Sequence, residues 1–277
     1  MIVHIICFSQ TGNTWKVGRA MAAGFETEGH AVSFISFKKA NIEHFTTADM
    51  IGVGAPCFES QAPTPVRAFL KELPHLTDKK AFVFATSGGG PGRVLYDLAK
   101  PLMDRDADVV GGFLGRGTCY YPVPCLINRF PNRPNEDDLE AAHRFARAVS
   151  AHVASGKYGP MPETRPDALR HGFGFYNIVA TMLKDPLVRF LMPKPAADSE
   201  KCTECKWCVQ ECPTGSITLN PLPEIASTCI RCYRCMTGCP EKALSVQWGI
   251  SNFMVWMFYN TTFERWLGDA QPGEKLY

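Results

Sequence analysis

The stretch IVHIICFSQTGNT, Ile2 to Thr14, sets a short apolar run directly before an uncharged loop of hydroxyls and amides. Ile2–Cys7 has the length of a buried strand. After the loop, Val17, Ala20, Met21, Gly24 and Phe25 recur at helical spacing, with Gly29 as a stop. Similar apolar runs follow at Met50–Ala55, Lys80–Thr86 and Ala107–Leu114, and a fifth, less uniformly apolar, at His30–Phe37. Leu139, Ala142, Phe145, Ala146, Val149 and Val153 mark a further helix. Near-continuous apolar strands alternating with helices predict an α/β fold, a parallel sheet covered on both faces.

Such sheets bind ligands beyond the carboxyl ends of their strands. The loop Phe8–Thr14 therefore matters most. It opens a helix, whose unpaired N–H groups and dipole attract anions. Ser9, Thr11 and Thr14 add hydroxyls, and Gly12 permits a tight wrap, which suits a terminal phosphate. A nucleoside-triphosphate loop, G-x-x-x-x-G-K-[ST], is absent here, as is the dinucleotide pattern G-x-G-x-x-G. GGGPGR, Gly88–Arg93, has Arg where the last glycine of that pattern belongs.

With SQTGNT at Ser9–Thr14 the chain resembles the flavodoxin family over roughly residues 1–155, whose phosphate loop reads [ST]-x-T-G-x-T. That resemblance implies a flavodoxin-like five-stranded parallel sheet and FMN as the ligand. It places the phosphate at Ser9, Gln10, Thr11, Gly12, Asn13 and Thr14. The ring is expected between two further loops, at Pro56, Cys57 and Phe58 and at Ser87, Gly88, Gly89 and Gly90. Phe58 is the aromatic offered by the first of these loops. Glu59 and Arg93 are the charged residues nearby. Cys7 and Cys57 read as packing residues, and Cys119 and Cys125 stand too isolated for a metal site. Residues 115–135, between the last strand and the last helix, form an irregular stretch expected to cover the flavin or touch the second half.

Eight of the twelve cysteines fall between Cys202 and Cys239. CTECKWCVQECP from Cys202 and CIRCYRCMTGCP from Cys229 superimpose as C-x2-C-x2-C-x3-C-P, an internal repeat. Zinc sites use separated C-x2-C pairs. The tight triple followed by Cys-Pro is instead the signature of two-cluster bacterial ferredoxins, in which the fourth cysteine crosses to the other cluster. The expected ligands of one [4Fe–4S] cluster are Cys202, Cys205, Cys208 and Cys239, and of the other Cys229, Cys232, Cys235 and Cys212. Trp207 and Tyr233, between ligands, are expected to shield the clusters. So small a unit, expected to be α+β, has little core without its metal.

The expected organisation is a flavodoxin-like domain at residues 1–155, a linker and helical connector at 156–197, a ferredoxin-like domain at 198–247 and an aromatic tail at 248–277. The connector carries two short helical candidates broken at Asp185-Pro186. The tail holds Trp248, Phe253, Trp256, Phe258, Tyr259, Phe263 and Trp266. Both segments are too apolar to stay exposed and are expected to pack between the domains or at an interface, a homodimer included. Net charge is +2 with scattered Lys and Arg, which argues against nucleic acid. No signal peptide and no membrane-length apolar run are seen, and the cysteine pattern favours metal over disulfides, so a cytoplasmic location is expected.

Over most of its length the chain resembles flavodoxin–ferredoxin fusions, and that resemblance implies an electron-transfer protein. It would pass low-potential electrons between FMN and two clusters, to or from a protein partner, an electron donor or a client redox enzyme. The alternative is an oxidoreductase that reduces a quinone-like or nitro-like small substrate at the flavin. No catalytic residue is assigned.

Overall fold

A strand covered on both faces has no polar side to present, and its sequence is apolar throughout. In the computed structural model, which describes residues 1–161, 169, 182 and 185–257, this holds for β3 (Met50–Pro56), β4 (Lys80–Ser87) and β5 (Asp108–Arg116), buried along nearly their whole length. They join β1 (Ile2–Cys7) and β2 (Ala31–Ser36) in an all-parallel sheet of order β2-β1-β3-β4-β5. The less apolar β2 lies at an edge, half-buried to exposed, which explains its mixed sequence.

Side chains alternate between two cores. Val3, Ile5 and Cys7 of β1 and Phe82 and Phe84 of β4 point to one face. There they meet α1 (Asn13–Thr27) through Val17, Met21 and Phe25, and α5 (Glu136–Ala154) through Phe145, Ala146 and Val149. Ile6, Ile51, Val53, Val83 and Ala85 point to the other face. That side is closed by α3 (Thr64–Lys71) and α4 (Val94–Met103); α2 (Glu43–Thr46) contributes Phe45. The helix α5 starts at a capping box, where Asn135 and Asp138 each accept the other's backbone N–H. After α5 the chain returns to the edge strand: Gly159 donates to Asp108, and the Met161 amide bonds the Val110 carbonyl.

The described residues fall into two units. One comprises 1–118, 129–161 and 169; the other comprises 119–128, 182 and 185–257. Residues 119–128, from the middle of the irregular stretch, thus belong with the cysteine runs. The second unit contains α6 (Asp185–Leu191), whose proline stands in the first turn, where its missing N–H costs nothing. β6 (Ala196–Ala197) pairs with β9 (Leu244–Ser245), and β7 (Ile217–Leu219) with β8 (Pro223–Ile225), both antiparallel. Two short helices, α7 (Trp207–Glu211) and α8 (Arg234–Thr237), follow equivalent cysteines of the repeat. The core between them is small: Cys208, Ile217, Ile225, Cys235 and Leu244. α9 (Gly249–Trp256) ends the described part.

The first helical candidate of the connector and the tail residues Phe258, Tyr259, Phe263 and Trp266 lie outside the described residues. Of the expected tail, α9 lies within the described residues. Trp248 and Val255 pack inward, but Ile250, Phe253 and Trp256, spaced three apart on one face, are 75%, 57% and 46% exposed. Three- and four-residue steps put the two sets on opposite sides of the helix. No helix among the described residues is long and apolar enough to cross a membrane.

Candidate functional site

The carboxyl ends of β1, β3 and β4, neighbours in the sheet, carry the three loops singled out in the sequence. Gly12 is the N-cap of α1, with φ of +96° and open space where a Cβ would stand. It caps the helix without a side chain, so the first-turn amides must find another acceptor. Ser9 Oγ is one, accepting from the Gly12 and Trp15 amides at 3.2 and 3.3 Å. A phosphate oxygen is the same kind of acceptor, so this cradle fits an anion by its donor set. Gln10 is half-buried and Thr11 exposed at the rim.

Two loop side chains are committed inward. Thr14 is buried, its hydroxyl 2.7 Å from that of Thr86 at the end of β4. Asn13 Nδ2 donates to the Thr118 carbonyl at 2.9 Å. Thr14 therefore fixes the loop to the neighbouring strand end, and Asn13 fixes it to the chain beyond β5.

The other two loops are fastened to each other. Phe58 and Gln61 exchange backbone hydrogen bonds at 2.9 and 2.8 Å around Glu59 and Ser60, whose φ values are +44° and +66°. This is a two-residue turn with both central residues left-handed. Ser60 Oγ donates to the Gly90 carbonyl at 3.2 Å, and the Arg93 amide donates to the Ser60 carbonyl at 2.8 Å. Cys57 Sγ lies 3.5 Å from the Gly90 oxygen and 3.6 Å from that of Pro91. Burial pushes this thiol up to about 12, so it stays protonated and packs rather than reacts. The buried Cys7 thiol is likewise pushed up by burial. Pro56 closes β3 opposite Thr86, and Phe58 sets its ring edge-on to Phe8 at 6.3 Å. Ser87 Oγ bonds the Gly89 carbonyl at 2.9 Å. Of the glycines in this loop Gly92, at φ +50°, carries the backbone requirement, and Gly88–Gly90 do not.

Two charged residues missed in the sequence support these loops. Asp97, 5% exposed, accepts from the Ala62 amide at 3.2 Å and from Arg93 Nε at 2.6 Å. Burial raises its carboxyl above the usual value, and Arg93 pulls it back. Arg116, 3% exposed at the end of β5, donates to the Gly89 carbonyl at 2.9 Å and lies 4.1 Å from the Phe130 ring centroid. The Arg93–Asp97 pair was signalled by its i,i+4 spacing. Nothing local signalled Arg116.

In the second unit Cys202, Cys205, Cys208 and Cys239 line one pocket, roofed by Trp207, Leu219, Pro223 and Leu244. Burial raises the Cys208 thiol, and the nearby charges of Cys205 and Cys239 add to the shift. Cys229 and Cys212 act in the same way on Cys232 and Cys235, both pushed up to about 12 chiefly by burial. One pocket thus holds Cys202, Cys205 and Cys208 of the first run with Cys239 of the second, while Cys212 of the first run lies near enough to Cys232 and Cys235 to act on them, as Cys208 does on Cys235. The fourth cysteines are held alike: the Ser216 amide donates to Cys212 Sγ at 3.2 Å and the Ala243 amide to Cys239 Sγ at 3.3 Å. No group of three His, Cys, Asp or Glu among the described residues closes around a single metal ion. Thiols standing around a larger body, with N–H donors to their sulfurs, fit a cluster.

Known proteins agree with both halves. Residues 4–122 match the flavodoxin domain model, and residues 195–218, which include the first cysteine run, match the 4Fe-4S binding domain model. An uncharacterized protein of Methanocaldococcus jannaschii is 26% identical over 140 residues, which cover 50% of this chain and 89% of that one. A flavodoxin of Megasphaera elsdenii is 28% identical over 113 residues, 40% of this chain and 82% of its own. Among solved structures a flavodoxin from the domain Archaea aligns over 56% of this chain and 99% of that one, with a TM-score of 0.45 and 20% identity. The chain carries a flavodoxin domain and a 4Fe-4S ferredoxin-type domain in succession, and so matches a flavodoxin–ferredoxin fusion.

Proposed function

We propose that this protein carries low-potential electrons between FMN, held by Ser9–Thr14 and the loops after β3 and β4, and two [4Fe–4S] clusters, to or from a partner redox enzyme. The observation that carries the reading is one pocket lined by Cys202, Cys205 and Cys208 of the first run and Cys239 of the second, in one chain with an anion cradle at the head of α1. When bound, FMN exchanges up to two electrons and a cluster one at a time. The chain's part is to hold and shield them. The cradle binds the phosphate, the tied loops after β3 and β4 wall the ring, and the buried thiols exclude water. Cys232 and Cys235 would hold the iron as thiolates, giving up their protons.

Apart from Glu59 in the turn after β3, the charged groups at the loops are committed to structure, which supports the carrier reading over a reductase. Arg93 and Asp97 are engaged with each other, and Arg116 is engaged with the Gly89 carbonyl and the Phe130 ring. Thr11→Glu puts a carboxylate at the rim of the cradle. The protein is expected to lose FMN and to keep its iron, read as flavin absorbance and iron per chain after anaerobic reconstitution. Retention of FMN would remove the phosphate from this loop.

A further inference from the structure

The two cysteine runs share one backbone. Glu204 and Lys206 have φ of +54° and +61°, and the equivalent Arg231 and Tyr233 have +57° and +55°. What covers that backbone differs. In the first run Cys205 and its neighbours Glu204 and Lys206 are exposed. At the same places in the second run Cys232 is 7% exposed, Arg231 9% and Tyr233 1%.

The cover comes from a strap, residues 119–128. Tyr121 donates its hydroxyl to the Arg231 carbonyl at 3.1 Å, and its ring meets Tyr233 edge-on at 5.2 Å. Trp248 meets Tyr233 at 5.2 Å as well. Tyr233 in turn donates to the Pro193 carbonyl at 2.7 Å, and Arg231 Nε to that of Met192 at 3.0 Å. Val123 and Leu126 of the strap pack with Val188 and Met192. Among the described residues the first run has no such cover, and the exposed charges of residues 200–206 and 241–242 balance: Glu200, Glu204 and Glu241 against Lys201, Lys206 and Lys242.

Given the two-cluster reading above, we propose that the two lobes have divided roles. The Cys202–Cys205–Cys208 lobe is the port at which an external one-electron protein partner with a weakly charged face meets this chain. The Cys229–Cys232–Cys235 lobe is sealed, and Tyr121 is the positioning residue of the seal. Each encounter moves one electron between the centre behind Cys205 and the partner's one-electron centre, with no bond made or broken and no proton exchanged.

The test uses the full chain, reconstituted anaerobically, with iron counted first. About eight irons per chain are required by the two-cluster reading; about four would overturn that reading and this proposal together. Iron release to bathophenanthroline disulfonate is expected in two phases of equal amplitude. Tyr121→Phe, which keeps the ring and removes the donor, is expected to speed the slow phase about fivefold, the worth of one hydrogen bond, and to leave the fast phase alone. Eight irons leaving in one phase, or both phases responding equally, would overturn the seal and leave the cluster count standing. For the port, oxidation of the reduced protein by the basic cytochrome c is followed. Lys206→Glu is expected to raise the rate about twofold at low salt, and the same change at exposed Lys157 to leave it unchanged. Equal effects at both positions would overturn the port.

Discussion

In the sheet unit the largest buried side chains are Phe25, Phe45, Phe82, Phe84 and Phe113, and the candidate FMN loops hang at the ends of strands that this core already holds. In the repeat unit the buried core is two clusters of five: Val123, Leu126, Val188, Met192 and Tyr233, and, around the cysteine runs, Cys208, Ile217, Ile225, Cys235 and Leu244, two of which are candidate ligands. One unit builds a scaffold and adds a site to it; the other uses its site as scaffold. A loop at a strand end tolerates the loss of its ligand, because backbone and core remain satisfied. A core made of thiols around a metal body loses its centre when the metal leaves.

The sharpest way to break this comparison is to remove the iron. Stripping it anaerobically with chelator under mild acid is expected to unfold the repeat unit and leave the sheet unit intact. Limited proteolysis should then cut freely between Cys202 and Cys239 while a fragment close to residues 1–155 survives with its helical circular dichroism. If both units melt together, the sheet unit depends on the other for stability. If neither does, the two apolar clusters around Tyr233 and Leu244 suffice without the metal.

The reverse cut is smaller. Phe84, fully buried among Val17, Phe82 and Phe113, carries a large share of the packing on its face of the sheet. Phe84→Ala is expected to cost the sheet unit about 3–5 kcal/mol through lost burial and the cavity left behind. Urea unfolding followed by flavin release should show an earlier midpoint, with the cluster absorbance transition unmoved. A common shift of both transitions would mean that the units unfold as one.

How legible each unit was follows from the same contrast. The parallel sheet could be read because four of its five strands are short, largely apolar runs, and SQTGNT because the whole cradle is six adjacent residues. The cysteine runs were legible as an in-register repeat. What local reading missed depends on long-range contacts. Arg116 reaches Gly89 from 27 positions away, and Tyr121 reaches Arg231 from 110. Nothing in residues 115–135 separates the ten that join the second unit from their neighbours. For Ile250, Phe253 and Trp256 apolar composition argues for burial but not for which face of α9 is covered within this chain.

The smallest effect sharpens the comparison at the loops. Asp97 is a carboxylate buried in the scaffold that anchors the Ala62 amide and Arg93, and so ties the loop after β3 to the start of α4. Burial raises its folded pKa above the ordinary 3.8 despite Arg93. Just above 3.8 the folded chain therefore keeps a proton that the unfolded chain has released. This group's contribution is largest below that value and falls as pH rises through the folded pKa. Asp97→Asn removes the titration. Urea midpoints of the sheet unit measured from pH 4 upward should lose that part of their decline in the variant. At neutral pH, where the wild type carries the buried charge, the variant should be no less stable than the wild type, because the amide avoids that desolvation while its oxygen still serves Ala62. Iron content should not change. A pH profile that is identical in wild type and variant would show that Asp97 ionises as an exposed carboxylate does, and the tie between the two loops would then rest on Ser60, Gly90 and Arg93 alone.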